Sequence, residues 1–383
     1  MRWRRVAGMG LLVALSACRA GCQGPPTQEF IHCPTPDGGC TVSNGTGVYY
    51  AEDGFAGIGP TKLMITHFLN TGTQVGFSGR YFDPRVNLWF PLLAPGLVYS
   101  AEYQGKVNLQ VVSVTETNTV PTWTLTDPAA ANPADRTKVV KDNDLLGLKL
   151  YIRITIPVRD PGQKPPGTPN DPRAAAAATN GTTLAYQLDF TNRAVDKPFK
   201  QEVHAYQMRW RELTGTPPEE YCVNQAHAPD PVVFQQGVDI DPVTGSVARN
   251  ASTAGFVTLS CRGGAPAIVY SWSYPYQGAN AFYFDAGLHM KRASYCGDYN
   301  YYTKSPTSIQ IADDQGLNSD PIGRLEARWS TTGAVCVNRS NVRHWSIISA
   351  KGFTFSCNGH ALPTCSGSPT APFLADGPMT PGP

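Results

Sequence analysis

Six of the chain's ten cysteines fall in its C-terminal half, and they constrain the fold more than any other feature. Six cysteines can form three disulfides, in many alternative pairings that the sequence does not rank. A disulfide restricts the unfolded chain, so a module closed by three of them needs less hydrophobic core for the same stability. We therefore predict a disulfide-stapled module built on Cys222, Cys261, Cys296, Cys336, Cys357 and Cys365.

A short N-terminal leader predicts that the chain is exported. Three arginines among the first five residues precede an apolar run over residues 6–15, as in a secretory signal peptide. The Leu-Ser-Ala-Cys sequence at residues 15–18 resembles the lipobox of bacterial lipoproteins, in which the cysteine is lipidated. That resemblance implies a signal peptide over residues 1–17 and a lipid anchor at Cys18, and the Arg19 that follows favours the outer membrane. The alternative is an ordinary cleaved signal in which Cys18 is incidental.

The charge balance argues against nucleic acid as a partner. The chain has 31 Lys and Arg against 29 Asp and Glu, and three of the arginines belong to the leader. A nucleic-acid surface needs concentrated positive charge, which this composition does not provide. No stretch after the leader is long and apolar enough to cross a bilayer, so we expect membrane contact through the lipid at Cys18 alone.

Composition and periodicity favour strands. The chain has 37 Gly and 33 Pro, which predict many turns, and its 17 Tyr and 15 Phe favour strands over helices. Leucine and isoleucine occupy every second position from Leu148 to Ile156, with Lys149, Arg153 and Thr155 on the opposite face. This alternation is typical of a strand with one buried face. We predict a mainly β fold whose N-terminal part is a β-sandwich or barrel-like domain.

Changes in composition divide the chain into segments. Residues 18–47 are predicted to be a tether, and residues 48–156 a β-domain. Six prolines in residues 157–182 predict a linker or a long exposed loop. Residues 183–365 form the cysteine-rich, β-rich module, and residues 366–383 are predicted to be a disordered tail. The two β-segments could also form one domain that the Pro-rich loop interrupts.

The remaining cysteines lie close to the leader. Cys33 and Cys40 enclose a turn-rich segment and are predicted to form a small disulfide loop, because export leads to an oxidising compartment. Half of a metal site is the alternative, but no second pair of ligands lies nearby. With Cys18 lipidated, an odd number of cysteines remains, and Cys22 is the predicted free thiol.

One segment of the C-terminal module predicts a short helix. Apolar residues recur at helical spacing from Phe282 through Ala286 and Met290 to Ala293, although Gly287 weakens the pattern. The module is therefore not expected to consist of strands alone.

Several sequences in this module resemble one family. They are Leu-Ser-Cys-Arg-Gly-Gly-Ala at residues 259–265, Met-Lys-Arg-Ala-Ser-Tyr-Cys-Gly-Asp at 290–298, Leu-Glu-Ala-Arg-Trp at 325–329 and Gly-Ala-Val-Cys at 333–336. Together they resemble the ADYC domain, a bacterial family of exported proteins, over roughly residues 200–345. The resemblance implies a fold and export, but the family carries no assigned activity.

The chain departs from the family pattern at informative positions. Ser294 replaces the aspartate of the Ala-Asp-Tyr-Cys motif, and Tyr302 stands where a histidine is common. The family usually has cysteines near Val269 and Gly287, and this chain has neither. The resemblance therefore implies that one whole disulfide has been lost.

The segment around the motif also holds the best candidates for a functional site. His289 could act as a general base that Asp298 orients. Nearby tyrosines could stack on a sugar ring, as ligand-binding candidates. Alternatively the cluster is structural, with Asp298 capping a loop, His289 facing solvent and the tyrosines at the edge of the core. The tyrosines concerned are Tyr295, Tyr299, Tyr301 and Tyr302.

No metal or cofactor is predicted. The Asp-Ile-Asp-Pro-Val-Thr-Gly sequence at residues 239–245 fits a hairpin turn, whereas a calcium loop needs more oxygen ligands. Cys222 lies near His227 and Cys357 near His360, but in an exported chain paired cysteines favour disulfides over zinc. The sequence also lacks the nucleophile elbow, metalloprotease helix, P-loop and Rossmann fingerprints.

These observations predict a lipid-anchored protein of the cell envelope with a non-catalytic binding or structural role. We expect it to engage an envelope polymer or a protein partner through exposed aromatic residues. The alternative is an envelope hydrolase with a site around His289 and Asp298.

Overall fold

A computed structural model describes residues 40–41, 62–83, 88–156, 181–196, 201–215, 217–222, 229–240, 246–250, 252–297, 300, 302–303, 307–320, 322–366 and 374–378. The leader, Cys18, Cys22 and Cys33 lie outside these residues. The described part of the chain is mainly β-structure with short helices, which confirms the predicted fold class. None of its helices is long and apolar enough to cross a membrane.

Twenty-two strands and three α-helices form the described structure. The strands of the N-terminal part are β1 (Cys40–Thr41), β2 (Lys62–Asn70), β3 (Val75–Asp83), β4 (Leu88–Pro91), β5 (Gly96–Tyr103), β6 (Lys106–Thr117), β7 (Val120–Thr126), β8 (Thr137–Lys141) and β9 (Lys149–Ile156). Those that follow are β10 (Thr182–Asp196), β11 (Val203–Glu212), β12 (Glu219–Glu220), β13 (Val232–Gln236), β14 (Asp239–Ile240), β15 (Val247–Ala248), β16 (Phe256–Cys261), β17 (Thr307–Asp313), β18 (Ala327–Ser330), β19 (Gly333–Val337), β20 (Ser356–Cys357), β21 (His360–Ala361) and β22 (Leu374–Pro378). The helices are α1 (Ala265–Ser271), α2 (Ala281–Arg292) and α3 (Trp345–Ala350), and 3₁₀ turns occupy Pro133–Asp135, Asp142–Leu145 and Arg339–Asn341.

An eight-stranded antiparallel barrel lies at the centre of the protein. Its strand order is β3-β2-β16-β13-β11-β10-β9-β5, and pairing of β3 with β5 closes it. Strands β9 and β10, on either side of the Pro-rich segment, are neighbours over eight residue pairs. The N-terminal strands therefore belong to a barrel, which is one of the two predicted architectures, the other being a sandwich. Strands of the C-terminal module complete this barrel. The sheet therefore continues directly from β9 to β10, although the Pro-rich segment separates these two strands in the sequence.

The barrel closes along a short seam between β3 and β5. Only three residue pairs connect the two strands, among them Gly76 with Leu97 and Phe77 with Gly96. A Cβ atom at Gly96 would lie 2.0 Å from the Phe77 ring, so the ring packs inside the barrel only because this position is glycine. Val75 and Phe77 are fully buried, and alternation places Gly76 between them on the outer face.

Aromatic side chains fill the interior of the barrel. The ring of Trp123 on β7 lies 5.0 Å from Phe68 on β2 and 6.3 Å from Phe190 on β10. Those two strands are on opposite sides of the barrel, so Trp123 spans the space between its walls. The Phe234 ring lies 6.2 Å from Phe190 and extends the same cluster. The described interior of the barrel is therefore a packed hydrophobic core.

A second sheet and three disulfides follow the barrel strands. The strand order of this sheet is β1-β17-β22-β18-β19. The predicted three-bridge module is confirmed, with Cα–Cα distances of 5.8, 5.2 and 4.9 Å. The pairs are Cys222–Cys261, Cys296–Cys357 and Cys336–Cys365.

One described strand, β22, falls within residues 366–383, the predicted disordered tail. Strand β22 lies between β17 and β18 and pairs with both. Its pairing partners are distant in the sequence, so the Pro- and Gly-rich composition of the segment gave no sign of them. A strand forms here because neighbouring strands offer backbone hydrogen bonds on both sides.

The predicted helix at residues 282–293 is confirmed as α2, within one residue at each end. A Cβ atom at Gly287 would lie 2.6 Å from Cγ1 of Val269 on α1. The glycine that weakens the helical pattern is therefore what allows the two helices to approach. The two positions at which the family resemblance expects cysteines are in direct contact, as the loss of one disulfide requires.

Candidate functional site

Of the predicted catalytic pair, the structure describes His289 alone. His289 lies on α2 and is 3% exposed, so it does not face solvent as the structural alternative expected. Its Nε2 lies 3.0 Å from the carbonyl oxygen of Thr331 and donates a hydrogen bond to it. The Nε2 nitrogen therefore holds its proton and is not available as a base. Asp298 lies outside the described residues.

Two of the four tyrosines proposed for ligand stacking belong to the core. Tyr295 and Tyr302 are 1% and 4% exposed. The Tyr295 ring stacks on Trp329 at 5.4 Å, and the Tyr302 ring stacks on Phe353 at 4.5 Å. Protein side chains pack against both rings, so neither ring face is open to a ligand in the described structure. Tyr299 and Tyr301 lie outside the described residues.

Two of the sequences that carry the family resemblance meet in a buried cluster, to which Arg343 adds a third side chain. We call Tyr295, Glu326 and Arg343 the motif cluster. The Tyr295 hydroxyl donates to Oε1 of Glu326 at 2.5 Å. The Arg343 Nε donates to both Glu326 oxygens, at 3.1 and 2.9 Å. All three side chains are buried, so the carboxylate depends on these two donors instead of water.

Two further cations lie beside the motif cluster. Lys291 and Arg292, the last residues of α2, are both buried. Burial, together with the positive charge of Arg343, lowers the pKa of Lys291 well below its usual value. Burial also raises the pKa of Tyr295, and the Glu326 charge adds to that effect. Strong pKa shifts occur at active sites, but these groups are sealed from solvent and a substrate has no access to them.

The backbone of the motif is also structural. Ala293 ends α2 in the left-handed conformation with φ 49°, and the Ser294 amide donates to the carbonyl of His289 at 2.9 Å. These contacts form a Schellman-type helix end. Gly297 has φ 64°, and a Cβ atom there would lie 2.1 Å from the Thr332 carbonyl oxygen. The motif therefore connects α2, a disulfide and the β18–β19 turn.

An open groove of about 440 Å³ lies on the outer face of the barrel, along the seam where β3 meets β5. Its volume falls in the range of small-molecule sites. The groove includes Gly76, which has no side chain, in its lining. We call it the seam groove, and it is lined principally by Thr71, Gly76, Leu97, Arg153, Thr155 and Thr183.

Strand register brings the seam groove together. Gly76 on β3 pairs with Leu97 on β5, which in turn pairs with Arg153 on β9. These three residues form one row across three strands, with a glycine at one end and a guanidinium at the other. Thr155 on β9 pairs with Thr183 on β10 and adds two neighbouring hydroxyl groups.

A β-bulge places an aromatic ring beside Arg153. The register of β5 against β9 shifts between Val98 and Ser100, so Tyr99 is the extra residue. Tyr99 is consequently turned outward and is 40% exposed. The Arg153 guanidinium lies 5.7 Å from the centre of its ring, within cation–π range.

Charges elsewhere on this face of the barrel are paired in a cross-strand row, which we call the charge ladder. Its alternating residues are Glu102, Lys149, Asp189, Arg209 and Glu220. Ion pairs of 2.8 Å between Lys149 and Glu102 and 2.5 Å between Arg209 and Glu220 neutralise its two ends. Among the residues that the structure describes, no carboxylate pairs with Arg153.

A metal centre finds no support in the described ranges, where no group of three or more His, Cys, Asp or Glu side chains is placed to hold an ion. The seam groove itself offers one guanidinium, threonine hydroxyls and apolar carbon. Such a lining can bind a polar ligand, but no nucleophile–base pair occurs among its described residues.

Comparison with known proteins identifies one domain. Residues 173–343 match the ADYC domain, so the chain carries that domain in a barrel protein with three disulfides. No curated protein and no solved structure matches the chain. The matched range supplies barrel strands β10, β11, β13 and β16, and strands that precede it complete the barrel. The seam groove lies mostly on those preceding strands.

Proposed function

We propose that this protein is anchored in the cell envelope by a lipid on Cys18 and binds an envelope polymer in the seam groove without catalysing a reaction. The observation that carries the proposal is Arg153, an exposed guanidinium without a carboxylate partner among the described residues, in a groove of suitable size. Three disulfides suit an oxidising compartment, and the leader supplies the route to it. The outer membrane is the proposed location.

The hydrolase alternative has no comparable support. His289 is buried, and its Nε2 is bound to a backbone carbonyl. The exposed aromatic contact expected from the sequence is assigned instead to Tyr99, which stands beside Arg153.

Filling the seam groove is expected to weaken polymer binding. Thr183 is exposed at the end of a strand pair, so Thr183→Trp places a bulky ring in the groove at little cost to the fold. We expect co-sedimentation with purified envelope polysaccharide to fall at least about tenfold, which corresponds to about 1.4 kcal/mol of binding free energy. The matched control is Thr115→Trp on β6, which is exposed outside the groove and should bind as the native protein does. Equal binding by Thr183→Trp and Thr115→Trp would refute the proposal.

Removing the lipid acceptor is expected to release the protein from the membrane. Several acyl chains hold a protein stably on a bilayer, whereas a chain without them has no such attachment. We expect Cys18→Ala, expressed with its leader, to move from the membrane fraction to the soluble fraction. Cys22→Ala is the control and should remain with the membrane. A membrane-bound Cys18→Ala protein would contradict lipid anchoring at this residue.

A further inference from the structure

We propose that the ligand of the seam groove is a saccharide that carries a carboxylate, in other words a sugar acid. This inference rests on the proposed function, because it names the chemical class of polymer that the groove binds. It depends on three properties of the described residues: an available guanidinium, a hydroxyl-bearing rim and an apolar floor.

The guanidinium selects the charge of the ligand. Arg153 lies in the groove with no carboxylate partner among the described residues, in contrast to the cations of the charge ladder. Its planar donors match the two oxygens of a carboxylate. The guanidinium carbon lies 5.7 Å from the centre of the Tyr99 ring, so a cation–π contact can help to position it.

The rim selects a hydroxylated ligand. Thr71, Thr155 and Thr183 line the groove, and each hydroxyl can both donate and accept hydrogen bonds. The Thr71 hydroxyl donates to the carbonyl of Gln74 at 2.9 Å, which leaves its oxygen lone pairs to accept from a ligand. Sugar hydroxyl groups have the same dual character, so they complement such a rim.

The floor accommodates the carbon face of a sugar ring. Leu97 and Pro95 contribute apolar carbon to the lining, and the buried Gly76 lies beneath them without a side chain. A sugar ring combines one such apolar face with polar edges. A polyphosphate, by contrast, would need several cations along its track, whereas the described residues of the lining include one cation, Arg153.

The test measures binding of trigalacturonate to the full exported chain by calorimetry, with its fully methyl-esterified form as the uncharged control. We expect the ester to bind at least about tenfold more weakly than the acid, because it lacks the charge-assisted hydrogen bonds. Arg153→Gln should lower affinity for the acid to the level of the ester. Arg209→Gln removes the same charge from the charge ladder and should leave the affinity unchanged.

Several results would overturn the inference. These are no binding of trigalacturonate, equal binding of acid and ester, equal losses in Arg153→Gln and Arg209→Gln, or equally tight binding of tricarballylate, which has carboxylates but no sugar ring. The proposed function is judged separately by the co-sedimentation of Thr183→Trp. Loss of sedimentation in that variant without trigalacturonate binding would retain the groove and reject the sugar acid.

Discussion

Replacing Glu326 with alanine is expected to lower the free energy of unfolding by about 3–5 kcal/mol, because it leaves the buried Arg343 charge without its carboxylate. Arg343 donates twice to Glu326, and Tyr295 donates once. Loss of the acceptor deprives a buried guanidinium and a buried hydroxyl of their common partner. Urea unfolding of the oxidised protein, followed by tryptophan fluorescence, measures the change.

Glu202→Ala is the matched control for this prediction. Its carboxylate pairs with His204 at 3.0 Å but is 60% exposed, so we expect a loss below about 1 kcal/mol. If Glu326→Ala fails to fold, Glu326→Gln keeps one acceptor oxygen and should lose less stability than full removal. Losses of similar size in Glu326→Ala and Glu202→Ala would show that the motif cluster does not support the fold.

A double substitution, Val269→Cys with Gly287→Cys, is expected to form a fourth disulfide in the described structure and to stabilise the protein. A Cβ atom at Gly287 would lie 3.6 Å from Cβ of Val269, which is within the range for a disulfide. Closure of a loop of this length stabilises a protein by roughly 3 kcal/mol. Mass spectrometry reports formation of the bond, and urea unfolding reports its effect.

Single substitutions separate the disulfide from packing effects at the same two positions. Gly287→Ala should destabilise the protein, because its Cβ would lie 2.6 Å from Cγ1 of Val269. Val269→Cys alone removes a methyl group and should cost about 1 kcal/mol. Two free thiols in the oxidised double variant would mean that α1 and α2 do not approach as described.

Local sequence patterns predicted the local elements of the fold. Alternation of leucine and isoleucine predicted β9, and helical spacing from Phe282 predicted α2. The cysteine count predicted three bridges but not their pairing. The closure of the barrel could not be predicted from the sequence. The contact between Phe77 and Gly96 that closes it depends on two strands, β3 and β5, that pair only in the tertiary structure.

The candidate site was missed for a similar reason. In the sequence, Arg153 appears as one polar residue on the outer face of an alternating strand. The pairing register of β3, β5 and β9 places it in a row with Leu97 and Gly76, and no local sequence pattern reveals that register. Conversely, Tyr295 resembled a binding residue because the rings that cover it, on Trp329 and Phe353, are distant in the sequence.

Amide hydrogen exchange of the full exported chain, with and without purified envelope polysaccharide, tests the central claim most directly. The claim is that the seam groove binds the ligand and that the motif cluster is structural. We predict that polysaccharide slows exchange at residues 71–76 and 94–97, which border the groove. Slower exchange confined to residues 289–297, around His289 and the motif, would contradict the account and return the functional site to the motif.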